Sequence, residues 1–365
     1  MTSKEPLPYQ VPDLPHGSNM ESAQVLRALT QAHRHLAELK GVTSSIPNER
    51  MLLDTLSLQE AKDSSAIENI ITTHDEVYQS DSRSKQFATA AAKEVHRYAE
   101  ALKHGFEMVE KQGGIGLRLI LEVQAIVENS DAGFRKLPGT KLKNDLTGEV
   151  VYVPPQSHEE IKALMNNLER FLNDDGLLEA DPLVKMAIAH HQFETIHPFY
   201  DGNGRTGRII NVLYLVRCGL LELPVLYMSR YIIRNKAAYY RLLQETRTSG
   251  DWDPWVIYML KGIATTAKDT TALIKAIKSV MQQYKQRIRS EKPRIYSQDL
   301  INTLFRYPYT KINFIERDLH VSRVTATKYL ETLVRMALLK KVKVGRTNFY
   351  LNEPLFALLR DGVSN

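Results

Sequence analysis

The sequence predicts a mostly α-helical protein that carries two small β-hairpins. Apolar residues recur at three- and four-residue spacing through most of the 365 positions, as they do along the buried face of a helix. Strand-like patterns are confined to two short stretches, 141–153 and 340–351. No apolar run approaches the ~20 residues of a membrane span, and the N-terminus lacks a signal pattern. We therefore expect a cytoplasmic protein without a membrane segment, with room for two or three domains.

The N-terminal region is expected to be extended at first and then helical. Four prolines fall within the first twenty residues, at Pro6, Pro8, Pro12 and Pro15. A helix should begin near Ser22 and stop at Gly41, and Pro47-Asn48 indicates a turn. The next helix carries an apolar stripe at Leu53, Leu56, Ile67 and Ile71. Between those positions Ser64 and Glu68 lie four residues apart and so share one helix face.

The middle of the chain combines further helices with the first hairpin. Helices are expected at 85–103 and 117–127. The hairpin begins at Lys141, turns at Thr147-Gly148 and ends at Val153. Its exposed edge could bind an extended target segment by strand addition, although a hairpin that only covers the core fits the sequence nearly as well. Ser157 and Glu160 then form a capping box that opens another helix.

One stretch, 197–208, concentrates more chemistry than a loop needs. It reads His-Pro-Phe-Tyr-Asp-Gly-Asn-Gly-Arg-Thr-Gly-Arg and lies between two helices, the first of which starts at Asp181-Pro182. Gly202, Gly204 and Gly207 let the backbone approach a ligand closely, and the N-terminus of the second helix lies at the same point. The pattern therefore predicts an anion-binding cradle.

The side chains of this stretch indicate phosphate chemistry. Arg205 and Arg208 have the fork geometry that suits phosphate oxygens. Asp201 is a hard oxygen ligand suited to Mg²⁺. His197 can accept a proton near neutral pH. Each piece also has a plain explanation, since a glycine-rich loop is often only a turn.

Zinc binding was the alternative for the histidines around the motif. His190, His191, Glu194 and His197 could supply ligands, but neither of the usual zinc orders, His-Glu-x-x-His and His-x-x-Glu-His, is present. We expect His190 and His191 to be packing or hydrogen-bonded helix residues. The one cysteine, Cys218, lies in an apolar helical run and is expected to be a core residue.

The stretch 197–208 resembles the Fic-domain signature, His-Pro-Phe-x-Asp/Glu-Gly-Asn-Gly-Arg-x-x-Arg, at every fixed position. The resemblance implies a protein adenylyltransferase, which moves AMP from ATP to a Ser, Thr or Tyr hydroxyl of a protein, including itself. It implies that His197 deprotonates the hydroxyl, that Asp201 holds Mg²⁺, and that Arg205 and Arg208 contact the β/γ end of ATP. A kinase-like relative, the Doc type, carries Lys where this chain has Gly204, so Gly204 favours AMP transfer.

The resemblance also implies a set of nucleotide contacts. Asn203 and the loop amides would hold the α- and β-phosphates, and Arg234 and Asn235 fall in a region that sits against adenine and ribose in relatives. The implied ATP-binding residues are Glu68, His197, Gly202, Asn203, Gly204, Arg205, Thr206, Gly207, Arg208, Arg234 and Asn235.

A second resemblance concerns Ser64, Glu68 and Asn69. They are similar to the inhibitory motif of Fic proteins, Ser/Thr-x-x-x-Glu-Gly/Asn, which lies N-terminal to the catalytic core. The resemblance implies that Glu68 pairs with Arg208 and takes the contact that the γ-phosphate needs, so that ATP binds in a pose unfit for in-line attack. By itself, a Glu four residues after a Ser on a helix usually faces water.

The basic charge of the chain lies at its C-terminal end. Residues 285–365 contain 16 Lys and Arg against 7 Asp and Glu, a net charge of +9, whereas the whole chain has +6. Three short helices at 298–305, 312–319 and 322–337 precede the basic hairpin, an order that resembles a winged helix-turn-helix. Its DNA-facing residues would be Arg323, Thr325, Thr327, Lys328 and Arg346. The same cations could instead hold an acidic partner.

These patterns divide the chain into three regions. Residues 1–84 form an N-terminal helical region with the inhibitory helix, 85–290 the Fic catalytic domain with its hairpin flap, and 291–365 the winged-helix domain. The expected partners are ATP, protein targets at the flap, and a second copy of the chain; DNA is not favoured. Two alternatives remain open: a Fic-fold hydrolase that removes AMP with Glu68 as its base, and a DNA-binding regulator that only senses ATP.

Overall fold

A computed structural model describes residues 9–15, 22–46, 49–81, 85–143 and 147–363. The fold is mostly helical, as the sequence predicts. The expected turn at Pro47-Asn48 and most of the proline-rich first twenty residues lie outside the described part. Residues 9–15 run along the surface of the core, where Leu14 N–H donates to Asn167 Oδ1 (2.8 Å) and Pro12 O accepts from Gln192 Nε2 (2.7 Å).

The N-terminal half of the fold is a set of helices that surround the motif. They are α1 (Ala23–Thr43), α2 (Glu49–Ile67), α3 (His74–Gln79), α4 (Ala90–Gln112), α5 (Leu117–Glu128), α6 (His158–Asn173) and α7 (Pro182–Ile196). Side-chain caps start several of them: Thr89 on α4, Ser157 on α6 and Asp181 on α7. The N-caps predicted at Ser157 and Asp181 are confirmed, but in the described part of the chain Ser157 accepts from Glu160 N–H without the return bond that would complete the predicted capping box.

Two predicted helix boundaries are wrong. The helix expected to stop at Gly41 continues to Thr43, because Gly41 keeps a helical conformation and Thr43 Oγ1 donates back to Leu39 O (2.8 Å). The helix expected from residue 85 begins only at Ala90, because Asp81 and Gln86 pair as an isolated β-bridge and Thr89 caps the helix.

The centre of the fold is the pair α7 and α8 (Asn203–Arg217), which the motif joins. Every residue of α7 from Leu183 to Ile196 is buried, and so is nearly all of α8 up to Leu215. Helices α4 and α5 pack on α8, whereas α6 and α11 (Asp253–Glu291) pack on α7. The motif therefore stands on the most enclosed helices of the molecule, and this enclosure fixes its geometry.

The flap is a short antiparallel pair, β1 (Leu142–Lys143) and β2 (Val150–Tyr152), as the sequence predicts. The predicted turn residues Thr147 and Gly148 both lie in the described part, and Gly148 has a left-handed backbone (φ 68°). Tyr152 Oη donates to Thr195 O (2.7 Å), so the flap is anchored on α7 close to the motif. Tyr9 N–H donates to Val153 O (3.0 Å), which brings the N-terminal segment beside the end of β2.

The C-terminal part follows α9 (Met228–Arg234), α10 (Lys236–Ser249) and the 39-residue α11. Its elements are α12 (Gln298–Arg306), β3 (Tyr309–Thr310), α13 (Ile312–Leu319), α14 (Arg323–Arg335), β4 (Lys340–Val344), β5 (Thr347–Leu351) and α15 (Glu353–Asp361). The three strands lie in the order β3-β5-β4. The three short helices and the hairpin are present as expected, and the assignment as a winged helix stays a prediction.

This C-terminal part rests directly on α2. Asp54 pairs with Arg306 of α12 (2.8 Å) and with Lys103 of α4 (2.6 Å). Thr55 Oγ1 lies 3.2 Å from the carbonyl oxygen of Phe305 at the end of α12. The helix that carries Ser64 is thus held by the central helices on one side and by the C-terminal part on the other. None of the described helices is both long and apolar enough to cross a membrane.

Candidate active site

The motif forms a tight loop between the end of α7 and the start of α8. His197 is the C-cap residue of α7 and has a left-handed backbone (φ 48°), which is uncommon for a residue with a side chain. Gly202 precedes α8 with φ 76°, and no side chain caps the first amides of α8. Uncapped amides at a helix N-terminus attract anions, so the loop presents the cradle that the sequence predicts.

Asn203 holds this loop in shape. Its Oδ1 accepts from Phe199 N–H and its Nδ2 donates to Phe199 O, both at 2.9 Å. Because both ends of the buried amide are engaged by the main chain, the side chain does not present itself to a phosphate. The implied phosphate contact of Asn203 therefore has to come from its backbone, and its side chain is a loop brace.

The imidazole of His197 is half-buried at the mouth of the loop. Its Nδ1 is enclosed and lacks a hydrogen-bond partner within the described ranges. Burial lowers the pKa of His197 to about 4, and the positive charges of Arg135 and Arg247 act in the same direction, while Glu68 opposes them. The ring is therefore neutral at pH 7 and able to accept a proton.

Arg208 and Glu68 meet across the mouth of the cradle. Arg208 Nη2 donates to Glu68 Oε1 (2.9 Å), and Arg208 Nε donates to Ser64 Oγ (2.8 Å). The Glu68 carboxylate lies against Gly204 so closely that a Cβ added at Gly204 would collide with Glu68 Oε1. A carboxylate thus stands beside the first turn of α8, where the sequence predicts phosphate.

The charges of this pair stabilise each other. Burial alone would raise the pKa of Glu68, but the charge and hydrogen bond of Arg208, with the charge of Arg205, outweigh burial and lower that pKa. Arg208 is buried, and although burial works against its charge, Glu68 raises the pKa of the guanidinium. Both groups are therefore ionised at neutral pH.

The end of α2 places Glu68 differently from the expectation that it shares a helix face with Ser64. Helix α2 ends at Ile67, and Glu68 lies in the following turn. Asn69 has a left-handed backbone (φ 62°) and Ile70 N–H donates to Ser65 O (3.0 Å), which closes the helix end. The left-handed residue explains why Asn or Gly suits the last position of the motif.

Arg205 is already paired and does not present a free cation. Its Nη1 contacts Glu94 of α4 (3.2 Å) and its Nη2 contacts Glu128 of α5 (2.6 Å). Arg205 is 4% exposed as a side chain. Its position near the N-terminus of α8 is unfavourable for a cation, and the two carboxylates compensate for this. In this structure Arg205 joins α8 to α4 and α5, in contrast to its implied contact with the β/γ end of ATP.

Other residues of the implied set differ in accessibility. Asp201 is exposed at the rim, where its Oδ1 accepts from Gly202 N–H (2.7 Å). Thr206 is fully buried, and its N–H donates to Gly202 O (2.9 Å), so its side chain is not open to a ligand. Gly207 lies against Phe193 and Glu194 of α7, and it serves the close packing of the two helices.

Arg234 and Asn235 line two different cavities, and their implied contact with adenine and ribose stays a prediction. Arg234 is exposed and lines a cavity of about 180 Å³ with residues of α11 and the end of the chain, including Asp269 and Asp361. Asn235 lines another cavity and donates to Tyr231 O (2.8 Å). The family pattern is loose in this region, so it gave no register for individual residues.

The histidines of α7 have structural partners. His190 Nε2 bonds with Tyr239 Oη (2.8 Å), and His191 Nε2 bonds with Leu243 O (3.1 Å). The prediction that they are hydrogen-bonded helix residues is confirmed. Glu194 is buried with an unpartnered Oε1, and burial raises its pKa to about 7. The described residues contain no cluster of His, Cys, Asp and Glu that could hold a metal ion by itself.

Sequence reasoning missed two residues that hold the site. Arg135 is buried and donates from Nε to His197 O (2.8 Å). Lys236, next to the stretch 234–235, donates from Nζ to Ile67 O (2.7 Å), the last carbonyl of α2. Neither has a local sequence signal, because both act on main-chain carbonyls that are distant in sequence.

Three family models match the chain one after another. Residues 26–107 match the Fic/DOC family N-terminal model, 115–215 the Fic/DOC family model, and 280–355 the model of the C-terminal domain of SoFic-like protein adenylyltransferases.

Named relatives and solved structures agree with these models. Over 109 residues the chain is 36% identical to protein adenylyltransferase fic-1 of Caenorhabditis elegans, which is 29% of this chain and 20% of the relative. Over 226 residues it is 28% identical to protein adenylyltransferase Fic of Aedes aegypti, 62% of this chain and 38% of the relative. The chain thus matches between a fifth and two fifths of the length of these relatives. A Fic family protein from Desulfovibrio desulfuricans G20 shares the fold over 92% of this chain and 98% of its own, with a TM-score of 0.57 at 19% identity.

Proposed function

Because the chain belongs to the Fic family, we propose that it is a protein adenylyltransferase, which transfers AMP from ATP to Ser, Thr or Tyr hydroxyls of proteins and is held inactive by Glu68. The observation that carries the proposal is the position of the Glu68 carboxylate, against Gly204 and on Arg208 at 2.9 Å. It is an anion of this chain in the anion cradle of the motif.

His197 would start the transfer by taking the proton of the target hydroxyl. Nδ1 is enclosed, so Nε2 is the nitrogen that can face the hydroxyl. The hydroxyl oxygen attacks the α-phosphorus of ATP, the bond from that phosphorus to the bridging oxygen breaks, and pyrophosphate leaves. A neutral ring is required, and the pKa of about 4 keeps His197 neutral at physiological pH.

The uncapped amides of α8 and Arg208 would bind the phosphates. Arg208 is a buried fork with the geometry that a terminal phosphate needs once Glu68 has left. Asp201 fits a Mg²⁺ ligand, because its exposed carboxylate uses only Oδ1 in the loop and Oδ2 has no partner in the part of the chain described. Mg²⁺ bound there with the phosphates would neutralise part of their negative charge.

Inhibition follows from the fact that Glu68 and a terminal phosphate need the same guanidinium. With Glu68 on Arg208, the γ-phosphate has no cation at this position, and the triphosphate is not fixed for in-line attack. The Glu68 side chain is 34% exposed, so it can leave without unpacking the core. We propose that activation is the departure of the α2 end from Arg208.

Targets would bind at the flap, and the C-terminal part would supply a second contact surface. Val151 of β2 is 45% exposed on a strand pair anchored close to His197. Such an edge accepts an extended segment and would bring its hydroxyl to the loop. On α14, Val324 is 79% exposed, and Lys328 has no ion pair within the described residues. This surface would fit an acidic partner or DNA, and we favour a protein partner.

The proposal is tested with ATP labelled on either the α- or the γ-phosphate, Mg²⁺, and a cell extract as acceptor. Wild type, Glu68→Gly, and Glu68→Gly with His197→Ala are compared. We expect α-label to enter protein weakly with wild type, strongly with the single variant and at background level with the double variant. Label from γ should stay out of protein, because the γ-phosphate leaves with pyrophosphate.

Other results would point elsewhere. Incorporation of γ-label would indicate phosphate transfer and contradict AMP transfer. Release of AMP from already modified protein that depends on Glu68 would favour the hydrolase alternative. A salt-sensitive complex with duplex DNA that survives loss of His197, with no label transfer by Glu68→Gly, would favour the ATP-sensing regulator.

A further inference from the structure

Arg135 is a buried cation without a carboxylate partner in the described structure. It lies in the loop between α5 and β1 and is 1% exposed. Its Nε donates to His197 O (2.8 Å), and its Nη2 donates to Pro155 O (2.7 Å) and lies 3.4 Å from Ile196 O. Buried charges are normally paired, so three carbonyl oxygens around one guanidinium are an unusual environment.

The end of α7 explains how this environment is tolerated. Ile196 and His197 carry carbonyls that no later helical turn can satisfy, and a helix C-terminus bears partial negative charge. Arg135 supplies the hydrogen bonds and the positive charge that this end requires. It therefore acts as a cap on the helix that ends at the base.

The same loop is tied to the motif at further points. Arg135 N–H donates to Pro198 O (2.8 Å), and the N–H groups of Lys136 and Leu137 lie 3.0 and 3.1 Å from Tyr200 Oη. The neighbouring ring of Phe134 packs on Phe199, with centroids 5.3 Å apart. Pro155, the other partner of the guanidinium, follows the flap.

We propose that Arg135 is a positioning residue for AMP transfer: it fixes the left-handed main chain of His197 and joins it to the exit of the flap, so that base and bound target keep one geometry. The proposal rests on the proposed function. It assigns to Arg135 no contact with ATP or target. A misplacement of about 1 Å in such a geometry can lower a rate by roughly 10²-fold.

The charge of Arg135 gives this role a second signature. Five influences act on the pKa of the His197 ring: burial and the charges of Arg135 and Arg247 lower it, whereas the charge of Glu68 and the nearby backbone of Glu194 raise it. Removal of the Arg135 charge should therefore move the pKa of His197 up from about 4 toward its ordinary 6.5. Lysine at this position would keep the charge and lose the fork.

The test compares Arg135→Met and Arg135→Lys in the full-length Glu68→Gly protein. Arg217→Met is the matched control, because the Arg217 side chain is only 12% exposed and also donates to a carbonyl, Asn173 O (2.9 Å), at the far end of α8. Three quantities are measured: the initial rate of α-label incorporation from pH 5 to 9, the thermal unfolding midpoint, and the titration of the His197 ring by NMR without ATP.

We expect Arg135→Met to lower the rate roughly 10²-fold beyond Arg217→Met at a similar unfolding midpoint. In Arg135→Met, the acidic limb of the rate against pH and the NMR titration of the His197 ring should both shift to higher pH. Arg135→Lys should lower the rate about tenfold, because the fork is lost, with the His197 titration unchanged.

The inference is overturned if Arg135→Met is no slower than Arg217→Met, or if its His197 titration stays in place. If Arg135→Met does not fold, Arg135→Lys decides through the rate: a loss with unchanged titration supports the inference, and an unchanged rate overturns it. If Glu68→Gly transfers no AMP, the proposed function fails, and the His197 titration alone still decides whether Arg135 sets the electrostatics of the ring.

Discussion

The motif loop and the end of α2 meet at Arg208 but are held in opposite ways. The loop is braced from inside by Asn203, which is 2% exposed and bonded at both amide ends to Phe199. Glu68 lies beyond the end of α2, is 34% exposed as a side chain, and within the described residues has one ion pair, with Arg208. The loop is braced to keep its shape, whereas the proposed activation requires the end of α2 to move.

We therefore expect the loop to determine folding stability and the end of α2 to determine the rate of transfer. Substitution of residues that brace the loop should lower the free energy of unfolding substantially. Residues at the end of α2 should change the rate of transfer with little effect on folding.

The largest folding effect is expected for Asn203→Ala. The change leaves the buried N–H and C=O of Phe199 without partners, which should lower the free energy of unfolding by roughly 2–4 kcal/mol. Asn211→Ala is the control, because Asn211 is equally buried on α8 and its Nδ2 has no partner among the described residues. Thermal unfolding should show a drop of several degrees for Asn203→Ala only. Equal drops would mean that the brace has no special role.

The buried half of α2 should contribute to folding stability, as the loop does, and the contribution of Glu60 should depend on pH. Glu60 accepts from Ser229 N–H (3.2 Å) and Tyr98 Oη (3.2 Å), and burial raises its pKa to about 7. The unfolded state binds fewer protons than the folded state between pH 4.5 and 7, so stability should fall as pH rises through that window. The free energy of unfolding of wild type, taken relative to that of Glu60→Gln, should therefore fall by up to roughly 3 kcal/mol between pH 5 and pH 7. Above pH 7 the difference should level off. A pH-independent difference would contradict the raised pKa.

Ser64→Ala should release the inhibition in part. It removes the acceptor of Arg208 Nε but leaves Glu68 in place, a loss of about 1 kcal/mol. We expect AMP incorporation to rise by up to about tenfold over wild type, because 1.4 kcal/mol is one decade. Ser65→Ala is the control, since Ser65 Oγ is equally buried and unpartnered in the described structure. If both variants rise alike, the effect belongs to α2 packing and not to Arg208.

The smallest effect is expected for Lys236→Met. The ammonium of Lys236 caps the last carbonyl of α2, a contribution of about 0.3–1 kcal/mol. Its loss should loosen the end of α2 and raise incorporation roughly two- to fivefold. Lys268→Met, at an exposed position of α11, should leave the rate unchanged. A lower rate for Lys236→Met would show that Lys236 serves the active form instead.

The sequence predicts most of what local patterns encode. The helix that starts at Asp181, the flap strands and α13 all follow from caps and periodicity, and the motif at 197–208 follows from residue types at fixed spacing. The pairing of Glu68 with Arg208 was implied by the resemblance, and the structure contains that ion pair. Local sequence patterns are enough to predict a residue's role when its contacts lie within its own helix, strand or loop.

The sequence does not predict contacts made across the fold to main-chain atoms. Arg135 caps a helix that ends 61 residues away, and Arg205 is neutralised by two carboxylates from α4 and α5. The seven-residue α9 is a related case, because its direction depends on its packing, which no spacing in the sequence specifies. Such residues become visible only when burial and partners are known.

The most direct test of the displaceable end of α2 is the initial rate of AMP incorporation at saturating ATP and Mg²⁺ for wild type, Glu68→Gly and Glu68→Gln. Glu222→Gly serves as the control, because Glu222 is an exposed glutamate that pairs with Lys40 (2.9 Å) away from the motif. We predict rates at least tenfold above wild type for Glu68→Gly, an intermediate rate for Glu68→Gln, and a wild-type rate for Glu222→Gly. Equal rates for wild type and Glu68→Gly, with both transferring AMP, would contradict the claim that Glu68 blocks the site.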